Sequence, residues 1–276
     1  MLHHNIIGNP NGSKVAVLHG IFGAGSNWRQ CVGEWEKRRP DLQFVLIDLP
    51  NHGNSPHLLA QHTLQTCAEM VLDVQNVVGE FQAILGHSFG GKVAMQCAIQ
   101  PVYSEIQEIW ILDSYPGAIP AVDSIEGIAD SNDVVKVLDR LRNMQMPVEK
   151  RSQVKNMLLE QGFSQSIAQW MTTNLEYREN MGKSGYHWKF YLEGIAEMLE
   201  DYFVQDLWYV LEDATMPIQA NLLRALRSDR WDFDAIQRLE QLPPRSKQYT
   251  IDAGHWIHVD NLEGLLSILE KDLLAI

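Results

Sequence analysis

Gly86-His87-Ser88-Phe89-Gly90 fits the pattern G-x-S-x-G. It lies between an apolar run, Ala83-Ile84-Leu85, and a helix-like stretch, Gly91-Lys92-Val93-Ala94-Met95. A serine in that setting suits nucleophilic attack. The sharp strand-to-helix turn holds it in a strained backbone conformation, and neighbours bearing a Cβ would collide, which accounts for the glycines. The hydroxyl also sits at a helix N-terminus, where free N–H groups favour developing negative charge. With Gly and Ser each near 7% of residues, chance gives about 0.1 such matches in a chain of this length. The strand before and the helix after therefore matter more than the pattern itself. The competing reading is an ordinary glycine-rich turn.

A serine hydroxyl is a poor nucleophile until a base removes its proton. Ten histidines compete for that role. His255 has the right context, in Asp252-Ala253-Gly254-His255-Trp256, after the strand-like Gln248–Ile251 and before the last helix-like segment. His258 is its rival and is expected to face solvent or a structural partner. His3, His4, His52, His57, His62 and His187 lack a strand-end context and read as surface residues, whereas His19 and His87 read as shaping the loops around the serine. A carboxylate must orient the imidazole and stabilise its charged form. Asp229 is preferred, because it precedes His255 by 26 residues, room for one helix and one strand; Asp113, which ends an apolar run 25 residues after Ser88, is the alternative. A helix cap or turn is the ordinary role of either aspartate. The oxyanion of a tetrahedral intermediate needs two donors. One is the N–H of Phe89, and the second is expected from His19-Gly20-Ile21-Phe22-Gly23, with Ile21 ahead of Phe22.

The elements that must position these groups alternate between apolar runs and helical patterns through the first 115 residues, as stacked βαβ units do. Val15–His19, Gln43–Asp48, Phe81–Gly86 and Ile106–Asp113 read as strands; Thr63–Val78 and Gly91–Gln100 read as helices, with Gly79 and Pro101 as stops. The fold class is α/β, a mostly parallel sheet flanked by helices. From residue 118 to 214 strand-like runs disappear and helical patterns dominate, at Val134–Met144, Ser152–Gln161, Ser164–Asn174 and Trp188–Val210. Residues 118–214 are thus expected to be a helical cap inserted into a core built from 1–117 and 215–276. Its aromatic residues read mainly as core, although a cap over an apolar pocket would use the same ones. Ile218–Leu226 reads equally as strand or helix.

A formal net charge of -13, from 22 basic and 35 acidic residues, argues against nucleic-acid binding, which draws on Lys and Arg to neutralise phosphates. Solubility explains this acidity better than steering of cationic substrates. Cys31, Cys67 and Cys97 form neither a metal pattern nor a disulfide framework and read as reduced core thiols. Met1 to Asn9 lacks the pattern of a signal peptide, and no uninterrupted apolar stretch of about 18 residues occurs, so no membrane span and a cytoplasmic location are expected. Nothing sets the oligomeric state, and a homodimer is one option.

These residues resemble the small α/β-hydrolase esterases similar to the YbfF-type enzymes and their abhydrolase relatives. The matching pieces are His19–Gly23 with Asn27-Trp28, Asn51-His52-Gly53-Asn54-Ser55-Pro56-His57, Gly86–Lys92, Asp113 with Pro116, and Ala253–His258. The stretch beginning at Asn51 discriminates, while the turn at Ser88 is shared across the superfamily. The resemblance implies an α/β-hydrolase fold, a helical cap, no cofactor, and esterase or thioesterase activity on small acyl substrates. It favours Asp113 as the acid, since in that group the position after the penultimate strand often looks like Gly-Gly-Asn-Ser; Asp229 departs from this and keeps the choice open. The expected reaction is acyl transfer to water. A C–C bond hydrolase, a cofactor-free haloperoxidase and a noncatalytic binding protein are the rivals, because function belongs to the site rather than the fold.

Overall fold

A computed structural model describes residues 1–100, 105–119, 133–179 and 184–274. In chain order its strands are β1 (His4–Gly8), β2 (Ser13–Leu18), β3 (Leu42–Ile47), β4 (Ala83–His87), β5 (Glu108–Leu112), β6 (Leu175–Arg178), β7 (Gly185–Trp188), β8 (Gln219–Ala225) and β9 (Ser246–Ile251). Seven make one sheet in the order β1-β3-β2-β4-β5-β8-β9, parallel except for β1, which runs antiparallel to β3. The central strands are mostly apolar, at Val15–Leu18, Phe44–Ile47, Ala83–Leu85 and Ile109–Leu112, because helices cover both faces. Successive side chains still divide between two layers. Ala16, Leu18 and Ile84 pack on one side with the helices Leu64–Asp73 and Phe89–Ala98, and Val15, Val17 and Leu85 on the other with Arg29–Arg38 and Leu262–Asp272.

Local chemistry sets the boundaries. Thr63 caps Leu64–Asp73 by accepting from the Thr66 N–H at 3.1 Å, and Gly79, at φ 90°, ends the following turn as expected. Pro101 lies outside the described residues, as do 120–132 and 180–183 of the expected cap. The ambiguous Ile218–Leu226 segment is strand β8, paired with β5 and β9 on either side. Two expectations need correction. Residues 118–214 are not purely helical: beside the helices Asp133–Arg142, Arg151–Glu160 and Gln165–Thr173 they contain an antiparallel pair, β6 and β7, in which Leu175 faces Trp188. Trp188–Val210 is not one helix either, but the end of β7, the helix Leu192–Val204 and the short helix Trp208–Glu212. Tyr186 and Trp188, aromatic residues two positions apart, suit the strand, and the extended Gln205 backbone breaks the helix. Strand β1 carries little sequence signal, because it is a five-residue edge strand with no fully buried position.

Lys92 ties this region to the core. It is fully buried, and its Nζ donates to the carbonyls of Gly117 (2.8 Å), Tyr202 (2.7 Å) and Gln205 (2.8 Å), so a side chain of the helix Phe89–Ala98 satisfies the last carbonyls of Leu192–Val204. Cys31, Cys67 and Cys97 are free and buried. Among the described residues no helix is long and apolar enough to cross a membrane.

Candidate active site

Ser88 follows β4 directly and has φ 53° and ψ −119°. Only glycine fits around it. A Cβ on Gly86 would lie 2.0 Å from the Gly90 carbonyl oxygen, and one on Gly90 would lie 2.7 Å from that of His19. The Ser88 N–H donates to Leu112 O at 3.0 Å, so the turn is tied to the end of β5. His87 pairs with Leu112 in the sheet register, and Ser88 and Asp113 are therefore the next residues beyond the paired ends of two adjacent strands.

Asp113, with φ 43°, is completely buried. Its Oδ2 lies 2.7 Å from His255 Nδ1, while its Oδ1 accepts from the Ala225 N–H at 3.1 Å and the Trp231 indole N–H at 2.8 Å. Burial pushes this carboxyl up, but His255 and Trp231 more than offset it and hold Asp113 below the usual carboxylate range. Asp229, the carboxylate preferred from spacing, is exposed and makes no hydrogen bond among the described residues. The structure brings Asp113, not Asp229, to His255. Spacing misled because the loop after β8 turns Asp229 outward, whereas the neighbouring Trp231 packs inward onto Asp113.

His255 stands on the loop after β9, its side chain 22% exposed. The His87 ring lies 4.7 Å from it, centroid to centroid, and His87 Nε2 donates to the His255 carbonyl at 2.8 Å, fastening the loop to the residue before Ser88. Burial first, then the positive charge of Arg230, pull the imidazole down to about 4 against the opposing pull of Asp113. His258 stacks on Trp28 at 4.4 Å, and its Nδ1 has no hydrogen-bond partner among the described residues; it reads as packing, in keeping with a structural neighbour.

The turn His19–Gly23 faces Ser88, and two neutral histidines hold it. His19 Nδ1 donates to Gly20 O at 2.7 Å, and its Nε2 accepts from the Leu49 N–H at 2.9 Å. His52 Nδ1 donates to Pro50 O at 2.8 Å, and its Nε2 accepts from the Phe22 N–H at 3.0 Å. Each ring gives one hydrogen bond and takes one, which fixes a neutral tautomer; burial pulls both down, His52 to about 3. Phe22 N–H is thereby spent, which leaves Ile21 N–H without an acceptor among the described residues, like Phe89 N–H in the first turn of its helix. His52 and His62 were expected at the surface; both are buried, because the stretch after β3 runs beneath the helix Leu192–Val204. His3, His4, His57 and His187 are partly or fully exposed.

These groups open on one cavity of about 1260 Å³. Ser88, His255, Ile21 and Phe22 line it from the sheet side; Ile119, Val134, Val137, Ile167 and Trp170 line it from the stretch between β5 and β8. Trp170 meets Trp256 edge to face at 5.3 Å across the boundary. Arg230 is the only Lys or Arg among the described lining residues, and its Nε donates toward His255 Nδ1 at 3.0 Å. No cluster among the described residues could hold a metal ion. Sequence reasoning missed Arg230, Trp231 and the buried state of His52. Of these only His52 had a signal, its place in the discriminating stretch.

The chain is 29% identical over 269 residues to a Danio rerio protein named sn-1-specific diacylglycerol lipase ABHD11, covering 95% of this chain and 79% of that one. It is 27% identical to the Xenopus tropicalis protein of the same name, over 94% of this chain and 77% of that one. Among solved structures it superposes on a marine microorganism esterase with a TM-score of 0.78 at 24% identity, over 96% and 97% of the two chains. Residues 15–267 match the model of the alpha/beta hydrolase family, and they include every element of the site just described, so the chain belongs to that family.

Proposed function

We propose that the chain is a serine hydrolase cleaving carboxylic esters or thioesters through an acyl-enzyme on Ser88. The observation that carries this reading is the 2.7 Å contact between Asp113 and His255 beside a serine held at φ 53° on the same cavity. Ser88 Oγ attacks the acyl carbonyl while His255 Nε2 takes its proton. Asp113 holds the proton of Nδ1 and stabilises the imidazolium. The N–H groups of Phe89 and Ile21 receive the oxyanion, and among the described residues neither has another acceptor, as befits preorganised donors. His255 then protonates the leaving alcohol or thiol, and water cleaves the acyl-enzyme by the same route in reverse roles.

Residues 118–214 serve in this reading as a cap whose apolar side chains receive the acyl chain. The relatives named as lipases and the apolar lining at Ile119, Val134, Val137 and Ile167 support an acyl substrate. The test is labelling with a fluorophosphonate probe together with turnover of 4-nitrophenyl butyrate. Wild type should react in both, Ser88→Ala in neither, and wild-type-like turnover by Ser88→Ala would overturn the reading.

A further inference from the structure

Arg230 meets His255 in a way the proposed reaction does not use. One nitrogen, His255 Nδ1, has two neighbours: Asp113 Oδ2 at 2.7 Å, which can only accept, and Arg230 Nε at 3.0 Å, which can only donate. A neutral imidazole cannot satisfy both. With its proton on Nδ1 it serves Asp113 and opposes Arg230; with its proton on Nε2 it serves Arg230 and has no lone pair left for the Ser88 hydroxyl. The guanidinium thus competes with the tautomer that general-base catalysis needs.

The rest of Arg230 is unpartnered. Among the described residues its Nη groups make no hydrogen bond and no ion pair, although Asp229, Asp232 and Asp260 line the same cavity. Asp232 accepts from the Ala235 N–H, Asp260 accepts from the Gly254 N–H, and Asp229 is exposed. With Nε turned to His255, the end-on pair Nη1 and Nη2 is the free fork, a shape matched by the two oxygens of a carboxylate.

We propose that Arg230 reads a carboxylate carried by the substrate, and that pairing with it draws the guanidinium off His255. This rests on the hydrolase reading of the same site. The imidazole then keeps its one proton on Nδ1, donated to Asp113, and presents Nε2 to Ser88. The preferred substrates are acidic esters or thioesters, and an empty or neutrally occupied site is held back. A chain of net charge -13 with three further aspartates around the cavity repels anions, so a measured preference for acidic esters is owed to Arg230, the one Lys or Arg among the described lining residues.

Two ester pairs place the carboxylate on either side of the scissile bond. 4-Nitrophenyl hydrogen adipate against 4-nitrophenyl hexanoate tests the acyl side, and 3-(hexanoyloxy)benzoate against phenyl hexanoate tests the leaving group. Wild type should favour the acidic member of at least one pair by about 10-fold in kcat/KM, the scale of a charge-assisted pair. Arg230→Gln should erase that ratio and Arg230→Lys restore part of it. In Arg230→Gln the acid limb of kcat/KM on the neutral ester should also move to higher pH, since a positive charge beside His255 is gone. A wild type with no acidic preference in either pair, or equal losses on acidic and neutral esters in Arg230→Gln, overturns the proposal. Calorimetry of Ser88→Ala with methyl hydrogen adipate and with 3-hydroxybenzoate separates the two readings. Binding that needs Arg230, in a chain that turns over no ester, sustains the anion site and removes the hydrolase reading; turnover without such preference does the reverse.

Discussion

Replacing Asp113 by Asn changes one atom and reverses one hydrogen bond. The carbonyl oxygen of the new amide can take over from Oδ1, accepting from the Ala225 and Trp231 N–H groups as before at 3.1 and 2.8 Å. The amide nitrogen then replaces Oδ2, 2.7 Å from His255 Nδ1, and it can only donate. Nδ1 must become an acceptor, the single proton moves to Nε2, and the nitrogen facing the cavity cannot take a proton from Ser88. Losing the correct tautomer in such a triad costs about 10³- to 10⁴-fold in kcat. At about 1.36 kcal/mol per decade that is about 4 to 5.5 kcal/mol of barrier. The fold should survive, because the two structural bonds of Oδ1 persist, and circular dichroism with a thermal scan verifies this. Initial rates on 4-nitrophenyl butyrate for wild type, Asp113→Asn and Asp229→Asn then decide. Asp229 has no hydrogen bond to lose among the described residues and should cost less than about 3-fold. A folded Asp113→Asn within tenfold of wild type, or a larger loss from Asp229→Asn, refutes this assignment of the acid.

Acid should destabilise the fold early. Burial pulls His52, His87 and His258 down to about 3 and His255 to about 4, against about 6.5 in an unfolded chain. Between about pH 6.5 and 4 the unfolded chain therefore binds protons that the folded one refuses, and stability, full above that window, falls with pH by up to about 1.4 kcal/mol per unit for each histidine. A urea midpoint unchanged from pH 7 to 5 would contradict this. Replacing His52 by Phe strands the buried Phe22 N–H, at a cost of about 1–3 kcal/mol, and should lower kcat more than it raises KM by loosening the oxyanion turn. Stopped-flow or steady-state rates on 4-nitrophenyl butyrate that show the opposite split would count against that role. Replacing Lys92 by Met removes the donor from three carbonyls and should cost at least about 2 kcal/mol in a denaturant titration, and an unchanged midpoint would show that water satisfies them instead.

Much of the fold and site is legible in the chain because local rules decide it. The turn at Ser88 announces itself through glycines that no other residue can replace, and the buried strands through apolar runs bounded by turns. His255 is marked by its place after a strand. The choice between Asp113 and Asp229 is different, since both follow strands at similar spacing and only tertiary packing, Trp231 against Asp113, tells them apart. The same holds for His52 and Lys92, polar residues whose burial depends on partners far along the chain. The β6–β7 pair escapes because four-residue strands amid helices carry too little alternation to register.

The register that leaves Ser88 and Asp113 side by side has a wider implication. Two adjacent parallel strands, bonded to each other along their length, carry both the proposed nucleophile and the proposed acid, so in that reading the loop behind β8 is relieved of that duty. The exposed residues Leu226, Arg227 and Asp229 can then change in charge without touching Ser88, Asp113 or His255, as long as Trp231 keeps its bond to Asp113. Under the proposed reaction, selectivity toward new compounds could be tuned by charge on that loop while the serine and the aspartate stay anchored in the sheet.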